Sequence, residues 1–265
     1  MRLTKLGDLV DLAELIAIET GKLTKEDIRS ICVTSKFLTD DVFREILERR
    51  RLFGDAYPFS VENSVVRTYA NVSYKFCVRC AVLSGNLSGE YFERLTAILL
   101  DDFFGNGTNV LNCGTANPEK PNSFWNTIAW ISTRLSIPVG SQVRPSRLKD
   151  GGVDIIVWKS PPDSRSGFPV MLVQATVQQN LYSKCKDIDR RMWSSWLTMD
   201  VDPIIALSSP HLVLDKFEYQ EISVNAMILD RIRLTTYESS RKTQEIEYLC
   251  SFLDVHTKTF LERLP

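Results

Sequence analysis

The spacing of apolar positions predicts helices over most of residues 1–85. Apolar side chains recur there at three- and four-residue intervals, the period of one helix face, first at Leu9, Leu12, Leu15 and Ile16. Thr24 followed by Asp27 has the pattern of a capping box, and Thr39 and Ser60 stand where they would cap two further helices. We therefore expect residues 1–85 to form a small all-α N-terminal region.

Helices and β-strands alternate in the pattern after residue 85. Amphipathic helices are predicted from Ser88 to Leu100, from Phe124 to Leu135, over 181–199, weakly over 212–222, and from 239 or 240 to about 260. Short apolar or β-branched runs predict strands at residues 109–113, 153–158, 169–176 and 203–207, and from 226 towards 234. This alternation predicts an α/β domain over residues 86–265, with a mixed central sheet flanked by helices.

Two of the predicted strands form a hairpin that carries an acid and an amide. Lys149-Asp150-Gly151-Gly152 leads into the first run, which contains Asp154, and the second run contains Gln174. The connecting segment, 161–167, is rich in Pro, Ser, Asp and Gly, the residues of turns. Side chains on one face of adjacent strands lie about 5 Å apart, so Asp154 and Gln174 are expected to be neighbours.

Composition and charge bound the class of protein. The chain has 265 residues, of which 44% are hydrophobic and 25% charged, and its formal net charge is −1. A nucleic-acid partner would therefore need a local basic patch. Such a patch exists, because the chain from Lys120 to Lys149 lacks acidic residues and carries Arg134, Arg144 and Arg147. Since no apolar run approaches the ~20 residues of a membrane span and the N-terminus lacks a secretory pattern, we expect a cytoplasmic protein without a membrane partner.

Several kinds of site are disfavoured by the motifs. The six cysteines are scattered apart from Cys77 and Cys80, so reduced thiols are expected rather than a disulfide framework. With one Cys-x-x-Cys pair and two histidines, the four ligands of a structural zinc site are not apparent. The chain also has neither the Gly-x-Ser-x-Gly turn of serine hydrolases nor a phosphate-binding P-loop.

The hairpin and the helix before it resemble the PD-(D/E)xK nuclease superfamily, which has the restriction-endonuclease-like fold, over roughly residues 87–234. In that superfamily a helix donates a Glu, the second core strand an Asp, and the third core strand a Glu-x-Lys or Gln-x-Lys pair. Glu93 matches the helix acid, Asp154 in Gly151-Gly152-Val153-Asp154 the strand acid, and Gln174 the first position of the last pair. The Gly-Gly-Val-Asp turn and the Gln variant most resemble the Mrr-like branch, whose members act in restriction and defence against foreign DNA.

This resemblance implies a Mg²⁺-dependent DNA endonuclease acting in antiviral defence, for example against phage DNA. Glu93, Asp154 and Gln174 would be the catalytic residues and would bind Mg²⁺ or Mn²⁺, hard ions that prefer oxygen ligands. The basic residues Arg134, Arg144, Arg147 and Lys149 would contact the phosphate backbone of DNA.

The chain departs from the family pattern at the lysine. Thr176 stands two residues after Gln174, where the resemblance calls for lysine, and the nearest candidates for a displaced lysine are Lys149, Lys184 and Lys186. The alternative is therefore a catalytically degenerate nuclease-fold subunit that binds DNA or assembles into a multi-component defence complex. A protein partner in such a system and a homodimer both stay open at this point.

Each candidate residue also has a purely structural explanation. Asp154 could pair with an arginine such as Arg144, because buried charges are usually paired, and Glu93 could likewise pair with an arginine. Trp193 and Trp196 could stack on bases or pack in the core. The run Arg49-Arg50-Arg51 could contact DNA or could be a solvated helix end, where cations are favourable.

Overall fold

The computed structural model describes residues 5–33, 35–83, 85–114, 117–140, 151–163 and 165–264. These residues form two compact units, Met1–Ser88 with Glu238–Pro265, and Gly89–Tyr237. The sequence predicts two consecutive domains that meet at residues 85 and 86. The unit boundary lies close to that point, but the last helix of the chain belongs to the N-terminal unit.

Helices and strands follow one another along the whole described chain. The helices are α1 (Leu6–Thr20), α2 (Lys25–Cys32), α3 (Thr39–Phe53), α4 (Val72–Leu83), α5 (Asn86–Leu99), α6 (Phe124–Leu135), α7 (Leu181–Lys184), α8 (Arg190–Trp196), α9 (Lys216–Ser223), α10 (Arg231–Thr235) and α11 (Ser240–Leu261). The strands are β1 (Lys22–Leu23), β2 (Phe59–Glu62), β3 (Val65–Thr68), β4 (Asn109–Asn112), β5 (Ile155–Trp158), β6 (Val170–Ala175), β7 (Ile204–Ser208) and β8 (Met227–Leu229). None of the helices in the described part of the chain is both long enough and apolar enough to cross a membrane.

The N-terminal unit contains a small antiparallel sheet as well as helices. Its strands lie in the order β1-β3-β2, and the hairpin of β2 and β3 stands where the sequence predicts a helix capped by Ser60. Asn63 and Ser64 join the two strands with φ angles of 50° and 60°, which is the left-handed geometry of a two-residue hairpin turn. This hairpin corrects the expectation of an all-α N-terminal region.

A buried arginine joins α3 to α1 in the same unit. Arg49 is 2% exposed, and its Nη1 donates to Asp11 Oδ1 at 2.7 Å and to Glu14 Oε1 at 2.6 Å. Tyr57 also donates its hydroxyl to Glu14, at 2.6 Å. Arg49 is therefore neither a DNA contact nor a solvated helix end, because its charge is paired inside the unit.

The second unit contains the predicted mixed sheet, in the order β4-β5-β6-β7-β8. Strands β4, β5 and β6 pair antiparallel, whereas β6, β7 and β8 pair parallel. One face of the sheet packs against α6 and α8, through side chains that include Ile156, Leu172, Leu207, Ile131 and Trp196. This arrangement confirms the α/β class and the sheet flanked by helices.

Helix α5 lies on the other face of this sheet. Its residues Phe92, Leu95 and Leu99 are fully buried. Thr96 Oγ1 lies 3.1 Å from Ser208 Oγ on β7, and Ser208 alternates with the side chains that face α6 and α8. The predicted amphipathic helix therefore covers this face of the sheet.

Two predicted elements are interrupted by aspartate caps. The helix expected over 181–199 is divided into α7 and α8, and Asp189 begins α8 by accepting from the backbone N–H of Arg191 and Met192. The strand expected to run towards residue 234 ends at Leu229, because Asp230 caps α10. An aspartate at this position favours the start of a helix by satisfying N–H groups that have no partner within the helix.

Candidate active site

Asp154 lies directly before β5 and is held by both neighbouring strands. Its backbone N–H donates to the carbonyl of Val173 at 2.9 Å, and its own carbonyl accepts from Cys113 at 2.6 Å. The side-chain Oδ2 accepts from the backbone N–H of Ala175 at 2.9 Å. The carboxylate therefore has a fixed position beside the end of β6.

The glycine turn before Asp154 is required by its surroundings. Gly151 and Gly152 have φ angles of 78° and 70°, a region that residues with a Cβ rarely adopt. A Cβ on Gly152 would also lie 2.8 Å from the carbonyl oxygen of Asp187. The carbonyl of Gly151 accepts from Trp193 Nε1 at 2.9 Å. Since Trp193 and Trp196 are 2% and 0% exposed, they belong to the core and do not offer a free surface for base stacking.

Glu93 on α5 is 7% exposed and packs on the backbone that follows β4. A Cβ added to Gly114 would overlap the Glu93 carboxyl. Burial raises the pKa of Glu93 to about 7, with a further increase from the negative charge of Asp154, while a hydrogen bond from Asn112 and the charge of Lys120 act in the opposite direction. Among the described residues, the groups that lower this pKa are Asn112 and Lys120, and no arginine acts on it.

Gln174 lies on β6 next to Asp154 and is 8% exposed. In the antiparallel register Ile155 pairs with Val173, and Asp154 bonds to the residues on either side of Gln174, because its N–H donates to the carbonyl of Val173 and its Oδ2 accepts from Ala175. The side-chain Nε2 of Gln174 donates to Asp187 Oδ2 at 2.9 Å. Its Oε1 and the Oε1 of Glu93 are both buried, and neither has a hydrogen-bond partner among the described residues.

Thr176 takes part in the turn after β6. Its backbone N–H donates to the carbonyl of Ser208 at 3.0 Å, and its Oγ1 accepts from the N–H of Gln178 at 3.1 Å. The side chain at the position where the resemblance calls for lysine therefore stabilises local backbone.

The lysines considered as replacements have different environments. Lys184 Nζ donates to Asp187 Oδ2 at 2.9 Å, so it reaches Gln174 through one intervening carboxylate. Lys186 Nζ lies 3.4 Å from the ring centroid of Tyr182, in a cation–π contact. Lys149 lies outside the described residues.

Two charged residues near the site are not part of the sequence motif and are not predicted from it. Lys120, in the loop after β4, lowers the pKa of both Glu93 and Cys113, so its positive charge acts on the Glu93 carboxyl. Asp187 bonds directly to Gln174. The absence of acids from 120 to 149 is a weak signal for Lys120, but no local pattern distinguishes Asp187.

Of the proposed DNA-binding residues, Arg134 alone lies among those described, in the last turn of α6. Its guanidinium is 3.4 Å from Glu119 Oε2 and 5.8 Å from the ring centroid of Trp130. Because Arg134 and Glu119 are both exposed, this ion pair contributes little and leaves the arginine accessible. Arg144 and Arg147 lie outside the described residues, together with Lys149.

The donor atoms of the site fit a hard divalent cation. Glu93 and Asp154 supply carboxylate oxygens and Gln174 supplies an amide oxygen, and Mg²⁺ and Mn²⁺ prefer such ligands. The orphaned Oε1 atoms of Glu93 and Gln174 support this fit, since a buried oxygen without a partner is costly. Among the described residues, however, no group of three or more His, Cys, Asp and Glu side chains is arranged to hold a metal. Metal binding here would thus depend on the amide as well as the two acids.

Comparisons with protein-family models, with curated proteins and with solved structures found no match for this chain. The functional interpretation therefore depends on the geometry of Glu93, Asp154 and Gln174 and on their motif resemblance. The contacts of the three side chains add to the resemblance, because the sequence motif does not contain them.

Proposed function

We propose that this protein is a Mg²⁺-dependent DNA endonuclease of the PD-(D/E)xK superfamily. The observation that carries the proposal is the burial of Glu93 near Asp154, which raises the pKa of Glu93 to about 7. A buried acid kept close to a second acid is unfavourable by itself, and a divalent cation would relieve the repulsion between the two. Gln174, on β6 next to Asp154, has a buried Oε1 without a hydrogen-bond partner among the described residues. A helix, the second strand and the third strand of the sheet provide these residues, as the superfamily pattern requires.

The reaction would be hydrolysis of a phosphodiester bond. A bound Mg²⁺ supplies an activated water and neutralises charge on the phosphate. Asp154 suits the role of a fixed ligand, because its backbone and its carboxylate are both hydrogen-bonded to flanking strands. Glu93 would add a second carboxylate and Gln174 a neutral ligand, so the protein would contribute up to two negative charges.

The substrate would be held through its phosphates. The segment from Lys120 to Lys149 has no acidic residue, and Arg134 in it is exposed. Contacts from this segment would be independent of sequence and sensitive to salt. A role in defence against foreign DNA, such as phage DNA, and an action in the cytoplasm follow from the likeness of the Gly-Gly-Val-Asp turn and Gln174 to the Mrr-like branch.

The test is cleavage of supercoiled plasmid in Mg²⁺ or Mn²⁺ by the wild type and by Asp154→Ala. Asp163→Ala is the matched control, because Asp163 is an acid in the loop of the same hairpin and its side chain is 52% exposed. We expect the wild type and the control to cut equally, and Asp154→Ala to cut at least about 100-fold more slowly, as for loss of a major charge-stabilising group. Equal cutting by all three proteins would remove Asp154 from the site.

A second function is favoured by one observation, the use of Thr176 in a turn rather than as a source of charge. In this alternative the fold is a catalytically degenerate subunit that binds DNA or a partner protein in a defence complex. Its expected signature is metal-independent DNA binding or stable co-purification with a partner, without cutting by the wild type in either metal. Metal-dependent cutting that is lost in Asp154→Ala would exclude it.

A further inference from the structure

Asp187 joins Gln174 on β6 to a lysine. Its Oδ2 accepts from Gln174 Nε2 and from Lys184 Nζ, each at 2.9 Å. We infer that Asp187 is a positioning residue. It orients the amide of Gln174 so that Oε1, rather than Nε2, faces the metal ion. This inference rests on the proposed function, since it assigns a task to a residue outside the superfamily motif.

The chemistry of the pair determines the orientation of the amide. A side-chain amide has a donor end and an acceptor end, whereas an ionised carboxylate only accepts. The nitrogen of Gln174 must therefore face Asp187, and the oxygen must point away from it. That oxygen is buried without a partner among the described residues, which is the state expected of a ligand atom held ready for a cation.

The glycine turn locates Asp187 relative to Asp154. Gly152, two residues before Asp154, approaches the backbone of Asp187 so closely that a Cβ would lie 2.8 Å from its carbonyl oxygen. The backbone N–H of Asp187 also donates to the carbonyl of Lys184 at 3.1 Å. The same glycine turn therefore leads into Asp154 and packs against Asp187, which bonds to Gln174. The positions of the two proposed ligands thus depend on one turn.

Lys184 is the charge partner of Asp187. The Lys184 ammonium forms an ion pair with Asp187 at 2.9 Å, and both side chains are partly exposed. Asp187 therefore enters the site with its charge balanced. Through this pair Lys184 acts on Gln174 indirectly, which differs from the direct role of the lysine that Thr176 replaces.

The hydrogen bond between Gln174 and Asp187 requires a donor at position 174. In many sites a Gln→Glu exchange would strengthen metal binding by adding charge, but here it would place a carboxylate against Asp187. Such like charges repel, and one of them would take up a proton. Combining Gln174→Glu with Asp187→Asn reverses the polarity of the hydrogen bond, because the new amide can donate to the new carboxylate.

The experiment measures Mn²⁺ binding to the metal-free protein by calorimetry or by electron paramagnetic resonance. The proteins are the wild type, Asp187→Asn, Gln174→Glu, the double variant, Asp154→Ala, and Asp163→Asn as an exposed-acid control. Thermal unfolding in a chelator tests each variant for folding.

We expect Asp187→Asn and Gln174→Glu each to weaken Mn²⁺ binding about tenfold or more, the usual effect of losing a supporting hydrogen bond. The double variant is expected to regain wild-type affinity or exceed it, and Asp163→Asn to match the wild type.

The outcomes separate this inference from the proposed function. Wild-type binding that is lost in Asp154→Ala but unchanged in Asp187→Asn would overturn the inference and leave the proposed function in place. A single Gln174→Glu variant that binds Mn²⁺ as tightly as the double variant would also overturn it. If the wild type binds no Mn²⁺, both ideas fail. Recovery of Mn²⁺ affinity in the double variant that exceeds any recovery of its thermal stability in the chelator supports the inference, whereas affinity and stability that are lost and regained together would show a purely structural role and overturn it.

Discussion

The carboxyl of Glu93 occupies the space that a side chain on residue 114 would need, so Gly114 and Glu93 are matched in size. We expect Gly114→Ala to displace the Glu93 carboxyl and to destabilise the protein by about 1–3 kcal/mol, as overpacking does. Denaturant unfolding measures the stability, and Mn²⁺ titration should show weakened binding.

A glycine on the same helix as Glu93 serves as the control for this substitution. A Cβ on Gly89 would make an ordinary contact at 3.8 Å with Val177. Gly89→Ala should therefore be neutral or stabilise the helix by about 0.5–1 kcal/mol. If Gly114→Ala behaved like Gly89→Ala, the Glu93 carboxyl would not be held as described.

The raised pKa of Glu93 predicts a pH-dependent stability of the metal-free protein. The pKa is about 7 in the folded state against an ordinary value of 4.5, so the folded protein holds the proton more tightly. The contribution is fully present below pH 4.5 and is lost as the pH rises through about 7. Between pH 5 and pH 8 the wild type should lose about 2–3 kcal/mol relative to Glu93→Gln, which cannot ionise.

Urea unfolding of both proteins in a chelator at several pH values measures this difference. Comparing the two proteins removes the contribution of other titrating groups, because these are common to both. Parallel stability curves for the wild type and Glu93→Gln would mean that Glu93 titrates normally. Mn²⁺ binding by the wild type should strengthen over the same pH range, because the ion competes with the proton.

Arg49 predicts a large stability effect in the N-terminal unit. It is 2% exposed and pairs with Asp11 and with Glu14, which is itself fully buried. Arg49→Ala would leave buried acids without their partner, at a cost of about 3–5 kcal/mol. Arg51→Ala is the control from the same basic run, since Arg51 is exposed and pairs with exposed Glu48. It should change the stability by less than about 0.5 kcal/mol, and similar losses in both variants, measured by urea unfolding, would contradict this account.

Local periodicity is sufficient to predict the helices and strands that bury one continuous face. Helix α5 is an example, because its apolar positions recur at the period of a helix, whereas β5 and β6 are recognised as short continuous apolar runs that are buried on both faces. The same reasoning fails at β2 and β3, where Ser60 resembles a helix cap. The structure there is decided by Asn63 and Ser64, whose positive φ angles form a two-residue turn. The periodicity of the flanking valines does not reveal it.

The site is predictable only as far as its motif extends. Glu93, Asp154 and Gln174 can be selected because they occur in the expected order on the expected element types. Asp187 is 13 residues beyond Gln174, and it reaches the site because the chain turns between α7 and α8. Gly114 likewise gains its importance from a side chain on α5. Contacts of this kind depend on the packed sheet and leave no local pattern.

The basic segment before the hairpin predicts how DNA binding should depend on salt. Arg144 and Arg147 lie in a part of the chain without acids, and each neutralised phosphate contributes about −0.9 to the slope of log affinity against log salt. We expect Arg144→Ala combined with Arg147→Ala to weaken binding to all duplexes alike and to reduce that slope by about 2. Fluorescence anisotropy of a labelled duplex, titrated at several NaCl concentrations with a chelator present to prevent cutting, measures both effects.

The control variant combines Lys25→Ala with Arg44→Ala. It removes two exposed cations from the N-terminal unit and should leave the slope unchanged. An unchanged slope in the Arg144 and Arg147 variant would place the DNA contact elsewhere, whereas a change confined to one duplex sequence would indicate base recognition instead of phosphate contact.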